Sequence, residues 1–315
     1  MKLPVPHKLK EIASLIKAEF IGNPDFLITG INEIHMVEAG DLTFVDHPKY
    51  YKKALTSKAT TIIINAKVDC PENKALLFCE DPFEAYVSLV RKFRGFQPSV
   101  SFVSPTAQIG EGTVIQPGAF VGNNVKIGKN CIIHANVSIY DYTEIGNNVI
   151  LQSNTVIGAD AYYFQRKPQG YRKMESCGKV ILGDNVEIGA LCAIDKGVSG
   201  DTTIGKGTKF DNHVQVGHDT HIGANCLIGS HCAIAGVTVI EDDVILWAKV
   251  AVNKDLVIGK GAVILATSGV DKSLAGNKVY FGTPVDEVRK KWKEYVYLKQ
   301  LPEFMENLNK NSRKL

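Results

Sequence analysis

The sequence predicts a mainly β protein: a left-handed parallel β-helix of hexapeptide repeats, with a small N-terminal α/β domain and C-terminal α-helices. Three observations carry this. An aliphatic residue returns every six positions, through Ile109, Ile115, Val121, Ile127, Ile133, Ile139, Ile145, Leu151 and Ile157, and again from Ile204, Phe210, Val216 and Ile222 to Ile264. Gly, Ala, Asn or an acid usually follows it, and a small or β-branched residue such as Thr113, Ala119 or Val125 stands four places on. Residues before about Gln97 lack this beat. A period of six belongs neither to a helix nor to a simple strand; it is the repeat of a parallel β-helix.

The division expected is 1–98, an α/β domain; 99–283, the β-helix; and 284–315, a helical segment. In the first, Leu9, Ile12, Ala13, Leu15 and Ile16 have helical spacing. Thr60 to Ile64 and Ala75 to Phe78 read as buried strands, and Asp81-Pro82 caps a helix carrying Ala85, Val87, Leu89 and Val90. In the second, each hexad is a short strand plus a corner, and three hexads close one coil about 4.8 Å high. The aliphatic residue points inward, each burial contributing roughly 1.5–3 kcal/mol before chain entropy. The small residue after it is expected to make the turn, Gly or Asn there tolerating positive φ. The beat fails twice: Ala159 to Lys179 is a polar, aromatic excursion, and a shorter slip runs from Asp195-Lys196-Gly197 to Ile204. In the third, Pro284 is expected at a helix N1 position. Val285, Val288, Trp292 and Tyr295 form a stripe beside Arg289, Lys290, Lys291 and Lys293, and Pro302 is expected to divide two helical stretches, the second carrying Phe304, Met305 and Leu308. Such a stripe suits helices from several subunits packing together.

The bulk numbers exclude several classes. A net charge of +3 over 315 residues implies no global nucleic-acid or membrane field. No apolar run reaches transmembrane length, and no apolar segment follows the first residues as in a signal peptide. The seven cysteines are scattered, with no Cys-x-x-Cys pair. Those at 131, 192, 226 and 232 fall on small-residue positions of the repeat and read as buried thiols of a reducing, cytoplasmic compartment, with no structural zinc.

A β-helix interior is filled, so chemistry must lie on its outer faces. The densest polar run is Phe210 to His221. With Val216 inward, His218 falls just past a corner, and its equivalent one coil later is Gly236, which leaves room above the imidazole. Asp219 adjoins it, and Asn212 and Gln215 share its coil. A general base needs such an orienting acceptor. His213 stacks under His231, a surface ladder; Asp195-Lys196 reads as a surface ion pair. No Gly-x-Ser-x-Gly, P-loop or dinucleotide fingerprint is present.

Three stretches resemble the UDP-3-O-acylglucosamine N-acyltransferase family of lipid A biosynthesis: Gly40 to Tyr50, Gly189 to Gly205 and Asp211 to His218. The resemblance implies transfer of a 3-hydroxyacyl chain from the thioester of acyl carrier protein to the 2-amino group of UDP-3-O-acylglucosamine, with no metal or other cofactor. It assigns His218 as general base, and Asp211, Asn212 and Gln215 as polar residues around the reacting centre. It places uracil between Phe44 and Tyr50 beside position 47, and a basic contact at Lys272. It further implies a homotrimer with ligand clefts between prisms, a basic C-terminal helix meeting the acidic carrier, and at most peripheral membrane contact. The sequence departs from the family at His47, where Asn is usual, and at Asp255, where a second His is proposed to stabilise the oxyanion. An ionised carboxylate cannot do so, which leaves Lys254 or a backbone N–H. Other readings are transfer to another UDP-amino-sugar, an inactive β-helix scaffold, and a metal trimer using His213, His218 and His231.

Overall fold

The computed structural model describes residues 1–312. Both ends of the six-stranded N-terminal sheet close with antiparallel strands. β1 (Lys2–Lys8) and β2 (Glu19–Ile21) flank the parallel core of β3 (Leu27–Ile31), β4 (Asp41–Val45), β5 (Thr61–Ile64) and β6 (Ala75–Phe78), in the order β1-β3-β4-β5-β6-β2. Helix α1 (Leu9–Ile16) buries Leu9, Ile12 and Ala13; α2 (Tyr51–Leu55) is one short turn of chain; and α3 (Pro82–Arg94) buries Phe83, Tyr86, Val87, Leu89 and Val90. Asp81 caps α3 by accepting from the Glu84 N–H at 3.2 Å, with Pro82 at its first position, as the sequence predicts.

From Val103 the chain winds as a parallel solenoid of three sheets. Strands pair in phase, Ile109 with Ile127 and Ile127 with Ile145 on one face, Val216 with Ile234 and Ile234 with Val252 on another. The inward aliphatic residues from Val121 onward are almost fully buried. The residue four places later closes the corner from inside. Thr113 and Thr208 donate to the carbonyls of Gly128 and Gly223 in the next coil at 2.7 and 2.8 Å. Cys131, Cys192, Cys226 and Cys232 do the same with thiols, and all seven cysteines are free.

The turning residue lies elsewhere than expected. Positive φ occurs three places after the aliphatic residue, at Asn124, Asn130, Asn136, Asn148 and Asn154, and also at His213, Asp219, His231 and Asp255. Asn and Asp accept this region at low cost because their side chains bond locally. The glycine directly after the aliphatic residue serves close approach instead: a Cβ on Gly110 would stand 2.5 Å from the Gly128 carbonyl carbon.

Both interruptions are built structures. The excursion leaves after Ala159, forms a hairpin of Phe164–Lys167 with Gly170–Lys173, and rejoins at Lys179. It is tied to the N-terminal domain by Arg172, whose two terminal nitrogens donate to Asp81 at 2.8 and 2.9 Å, and by Gln165, which donates to Asp46 at 2.6 Å. The slip carries Asp195 to Asp201 around the corner that holds His218.

The C-terminal segment differs in two respects. Pro284 follows a cis peptide bond and leads into a short strand, Asp286–Glu287, so α4 begins at Val288. That helix then runs unbroken from Val288 to Ser312 with Pro302 inside it. The carbonyl four residues earlier, on Leu298, loses its N–H partner, but Leu298 is 60 % exposed, so the cost is that of a solvent-facing helix and not of a buried one. Lys290 pairs with Asp286 at 2.6 Å and Lys291 with Glu294 at 2.8 Å, which neutralises half of the basic cluster.

Candidate active site

His218 sits at the corner after the strand Gln215–Val216. Its Nδ1 lies 2.8 Å from Asp219 Oδ2, and the side chain is one-fifth exposed. Asp219 is buried and takes the left-handed corner conformation. The slip forms its cradle: the N–H groups of Val198 and Gly200 donate to its two oxygens at 2.9 and 3.1 Å, while its own N–H donates to Thr202 Oγ1 at 2.9 Å. Burial opposes its charge, but the bonds from His218 and Val198, with the neighbouring imidazoles, hold its carboxyl below the ordinary range. A carboxylate only accepts, so the His218 proton is on Nδ1 and the Nε2 lone pair is free.

Nε2 faces the gap left by Gly236, where a Cβ would come within 2.9 Å of it. That gap opens into a cleft of about 760 Å³ lined by His218, Gly236, Gln215, Asp195, Lys254 and Tyr163, among others. Tyr163 comes from the excursion, and its ring lies parallel to the imidazole at 6.5 Å between centroids. Burial first, then the charges of Glu33 and Asp46, push its phenol up to about 12. The same corner position, two residues past the paired strands, is occupied along the prism by Lys196, His218, Gly236, Lys254 and Lys272. Base and cations thus share one edge.

Asp195 and Lys196 do not pair with each other. Lys196 reaches Asp160 at 2.8 Å, and Lys173 reaches its other oxygen. Asp195, pointing the other way on its strand, accepts from Gln215 Nε2 at 3.0 Å. Burial pushes its carboxyl up to about 6, and the charge of Asp160 adds to that.

Of the residues singled out from sequence, this cleft brings together His218, Gln215, Gly236, Asp195 and Lys254. Asp211 and Asn212 lie at the preceding corner, where Asn212 Oδ1 accepts from the Ala190 N–H at 2.7 Å. Lys272 lies 3.9 Å from Asp286. Phe44 is half-buried at the end of β4, packed on Tyr86 and Phe83 at 4.8 and 6.0 Å. Tyr50 is 48 % exposed, with the His47 ring at 5.9 Å and the Lys49 ammonium 5.5 Å from its ring centre. His47 Nδ1 caps that turn by accepting from the Lys49 N–H at 3.2 Å. Asp255 is exposed and does not line the cleft, although its charge reaches His35, while its neighbour Lys254 does line it. His213 and His231 stack at 4.7 Å. The sequence reading missed Glu33, His35 and Tyr163; a Glu and a His two apart in a turn gave no periodic signal.

The chain is similar to several known proteins. Residues 25–92 match the family profile described as UDP-3-O-(3-hydroxymyristoyl) glucosamine N-acyltransferase. Residues 106–141, 124–159 and 201–236 match the bacterial transferase hexapeptide, and 220–254 the hexapeptide repeat of succinyl-transferase. A UDP-3-O-acylglucosamine N-acyltransferase of Campylobacter lari is 34 % identical over 91 % of this chain and 96 % of its own. UDP-3-O-acylglucosamine N-acyltransferase 1 of Sulfurimonas denitrificans is 37 % identical over 89 % and 94 %. Among solved structures, a UDP-N-acetylglucosamine acyltransferase from Bacteroides fragilis aligns with a TM-score of 0.54 at 27 % identity, over 61 % of this chain and 73 % of that one.

Proposed function

The chain belongs to the UDP-3-O-acylglucosamine N-acyltransferase family, and from that premise we propose how its own residues perform the transfer. The enzyme is an acyltransferase of lipid A biosynthesis that forms an amide on a UDP-sugar. The observation that carries the mechanism is the His218–Asp219 pair with Nε2 facing the Gly236 gap.

The acceptor amine enters that gap and attacks the thioester carbonyl of a 3-hydroxyacyl carrier protein. His218 Nε2 takes the proton the amine sheds; Asp219 keeps the ring oriented and balances the imidazolium. The tetrahedral centre then collapses, the amide forms, and the thiol leaves with the proton His218 returns. Lys254, among the described residues the only lysine or arginine lining the cleft, faces the developing oxyanion in place of an imidazole. The 3-hydroxyacyl chain lies along the small residues Ala233, Ala251 and Gly269, which stack in register beyond Gln215 and floor a second cleft ending at Pro284. Each methylene buried there contributes about 0.8 kcal/mol.

Uracil binds between Phe44 and Tyr50. Because neither residue lines the His218 cleft of its own chain, the site is completed by a neighbouring copy in a trimer, which also brings in Asp211 and Asn212. The exposed Trp292, Leu298, Leu301, Met305 and Leu308 of α4 supply further apolar surface for that assembly, and Arg289 and Lys293 meet the acidic carrier. No helix among the described residues is long and apolar enough to cross a membrane.

Mass analysis of the product from UDP-3-O-acylglucosamine and 3-hydroxyacyl carrier protein tests the reaction: a 3-hydroxyacyl amide is expected. Tyr50→Ala tests the acceptor site. Losing one base stack costs about 1–3 kcal/mol, so KM for the nucleotide sugar rises about 5- to 160-fold with kcat nearly unchanged. An unchanged KM would place the uracil elsewhere.

A further inference from the structure

One buried group beside the base has no part in the proposed chemistry. Glu33 follows β3 in the turn that joins it to β4, and only 8 % of its surface is exposed. The turn is pinned from both sides. Asn32 donates to Asp41 at 2.7 Å, and the Glu33 N–H donates to Ser199 Oγ, in the slip, at 2.8 Å. Met36 packs so closely on Gly200 that a Cβ there would come within 2.9 Å of its terminal methyl. These contacts place a carboxyl oxygen of Glu33, an oxygen of Asp219 and a ring nitrogen of His35 within 4.8 Å of one another. Glu33 therefore stands behind Asp219, on the N-terminal side of the pair formed with His218.

We propose that Glu33 is a positioning residue for the base: its carboxyl, delivered by the N-terminal domain, backs Asp219 and holds the Asp219–His218 pair in place. Seating of the nucleotide-binding domain on the solenoid thereby becomes a condition of a competent base. The inference rests on the proposed role of His218.

Two carboxyls this close and this buried do not both ionise at low cost. Asp219 already accepts from two backbone N–H groups and the imidazole, so Glu33 is the one that keeps its proton. Burial and the Asp219 charge push it up to about 8. The groups around it are Asp219 from the corner, with His218 bonded beyond it, His35 from its own turn, Tyr86 from α3, Tyr163 and Cys177 from the excursion, and the Met1 amine, which donates to Asn32 and Ser199 on either side. Burial raises Tyr86, Tyr163 and Cys177 and lowers His35 and the Met1 amine, so of these groups Glu33 is the carboxyl carried up to about 8. The sign follows. Its folded-state value lies above the unfolded one, so the stability it contributes is present below the ordinary carboxyl range and lost as pH rises through about 8. Above that point a second negative charge sits against Asp219 and disturbs the pair.

The test is kcat and KM from about pH 6 to about pH 9.5 for the wild type, Glu33→Gln and Glu33→Ala. The carboxamide imitates the protonated acid. Glu33→Gln is expected within about twofold of wild type at pH 7, without the wild-type decline in kcat above about pH 8, and Glu33→Ala to lose about tenfold in kcat at unchanged KM for the nucleotide sugar. Glu33→Gln falling well below wild type at pH 7, an alkaline decline that survives in it, or full kcat in Glu33→Ala would each overturn the proposal. If Glu33→Ala does not fold, the Glu33→Gln profile decides. Should the wild type transfer no acyl group, the functional reading fails first. The ring signals of His218 in labelled protein then decide this one: an alkaline step in wild type, absent from Glu33→Gln, upholds it, and identical titrations refute it.

Discussion

His218→Ala is expected to lower kcat for amide formation by about 10²- to 10⁴-fold, the range a positioned general base supplies. The fold should survive. His218 packs on the outside of the prism, and Asp219 keeps its bonds from Val198 and Gly200 when the imidazole is gone. KM for the nucleotide sugar should change little, because uracil binding is assigned to Phe44 and Tyr50. Single-turnover rates with far-ultraviolet circular dichroism as the folding control check this. A variant that keeps more than about a tenth of wild-type kcat would remove His218 from the base role.

Gly236→Ala should be nearly as damaging, for a steric reason. An added Cβ would meet His218 Nε2 and the His218 carbonyl oxygen at 2.9 Å and Cδ2 at 3.0 Å. The backbone there is not in the left-handed region, so alanine is conformationally acceptable and the effect comes from the collisions with the imidazole and with the His218 carbonyl oxygen. The ring must turn out of line with the acceptor amine, and a misplacement on the order of 1 Å costs about 10²-fold. Stability should fall by about 1–3 kcal/mol as well, because the carbonyl oxygen, unlike the ring, cannot turn aside. A thermal melt beside the rate measurement separates the two. A fully active Gly236→Ala would mean that the acceptor does not approach through this gap.

Much of the solenoid was legible because its physics is local and repetitive. Each inward residue answers only to its equivalents one coil above and below, so Ile127 predicts its own burial from Ile109 and Ile145. The two interruptions announced themselves as lost periodicity. What they build did not. The slip supplies two backbone donors to Asp219, and nothing in Val198 or Gly200 as residue types signals that. The pattern does not separate two roles at the corner: Gly110 and Gly128 relieve contact between coils, while Asn and Asp three places past the aliphatic residue make the turn. Pro302 does not divide the C-terminal helix, because a proline disrupts a buried helix far more than one whose residues face solvent. Glu33 and His35 were invisible for a topological reason. They meet Asp219 only when one domain docks on another, and no period, spacing or motif in a single chain encodes a contact of that separation.

The central claim is that this cleft acylates the amine of a UDP-glucosamine already acylated at O3. The most direct measurement is single-turnover transfer by the wild type from 3-hydroxyacyl carrier proteins of several chain lengths, offered UDP-3-O-acylglucosamine and unacylated UDP-amino-sugars in competition. Amide formation on the 3-O-acylated acceptor, at least about tenfold faster than on any other, is the result predicted. Transfer by the folded protein to an unacylated UDP-amino-sugar alone, or to none of them, would contradict it.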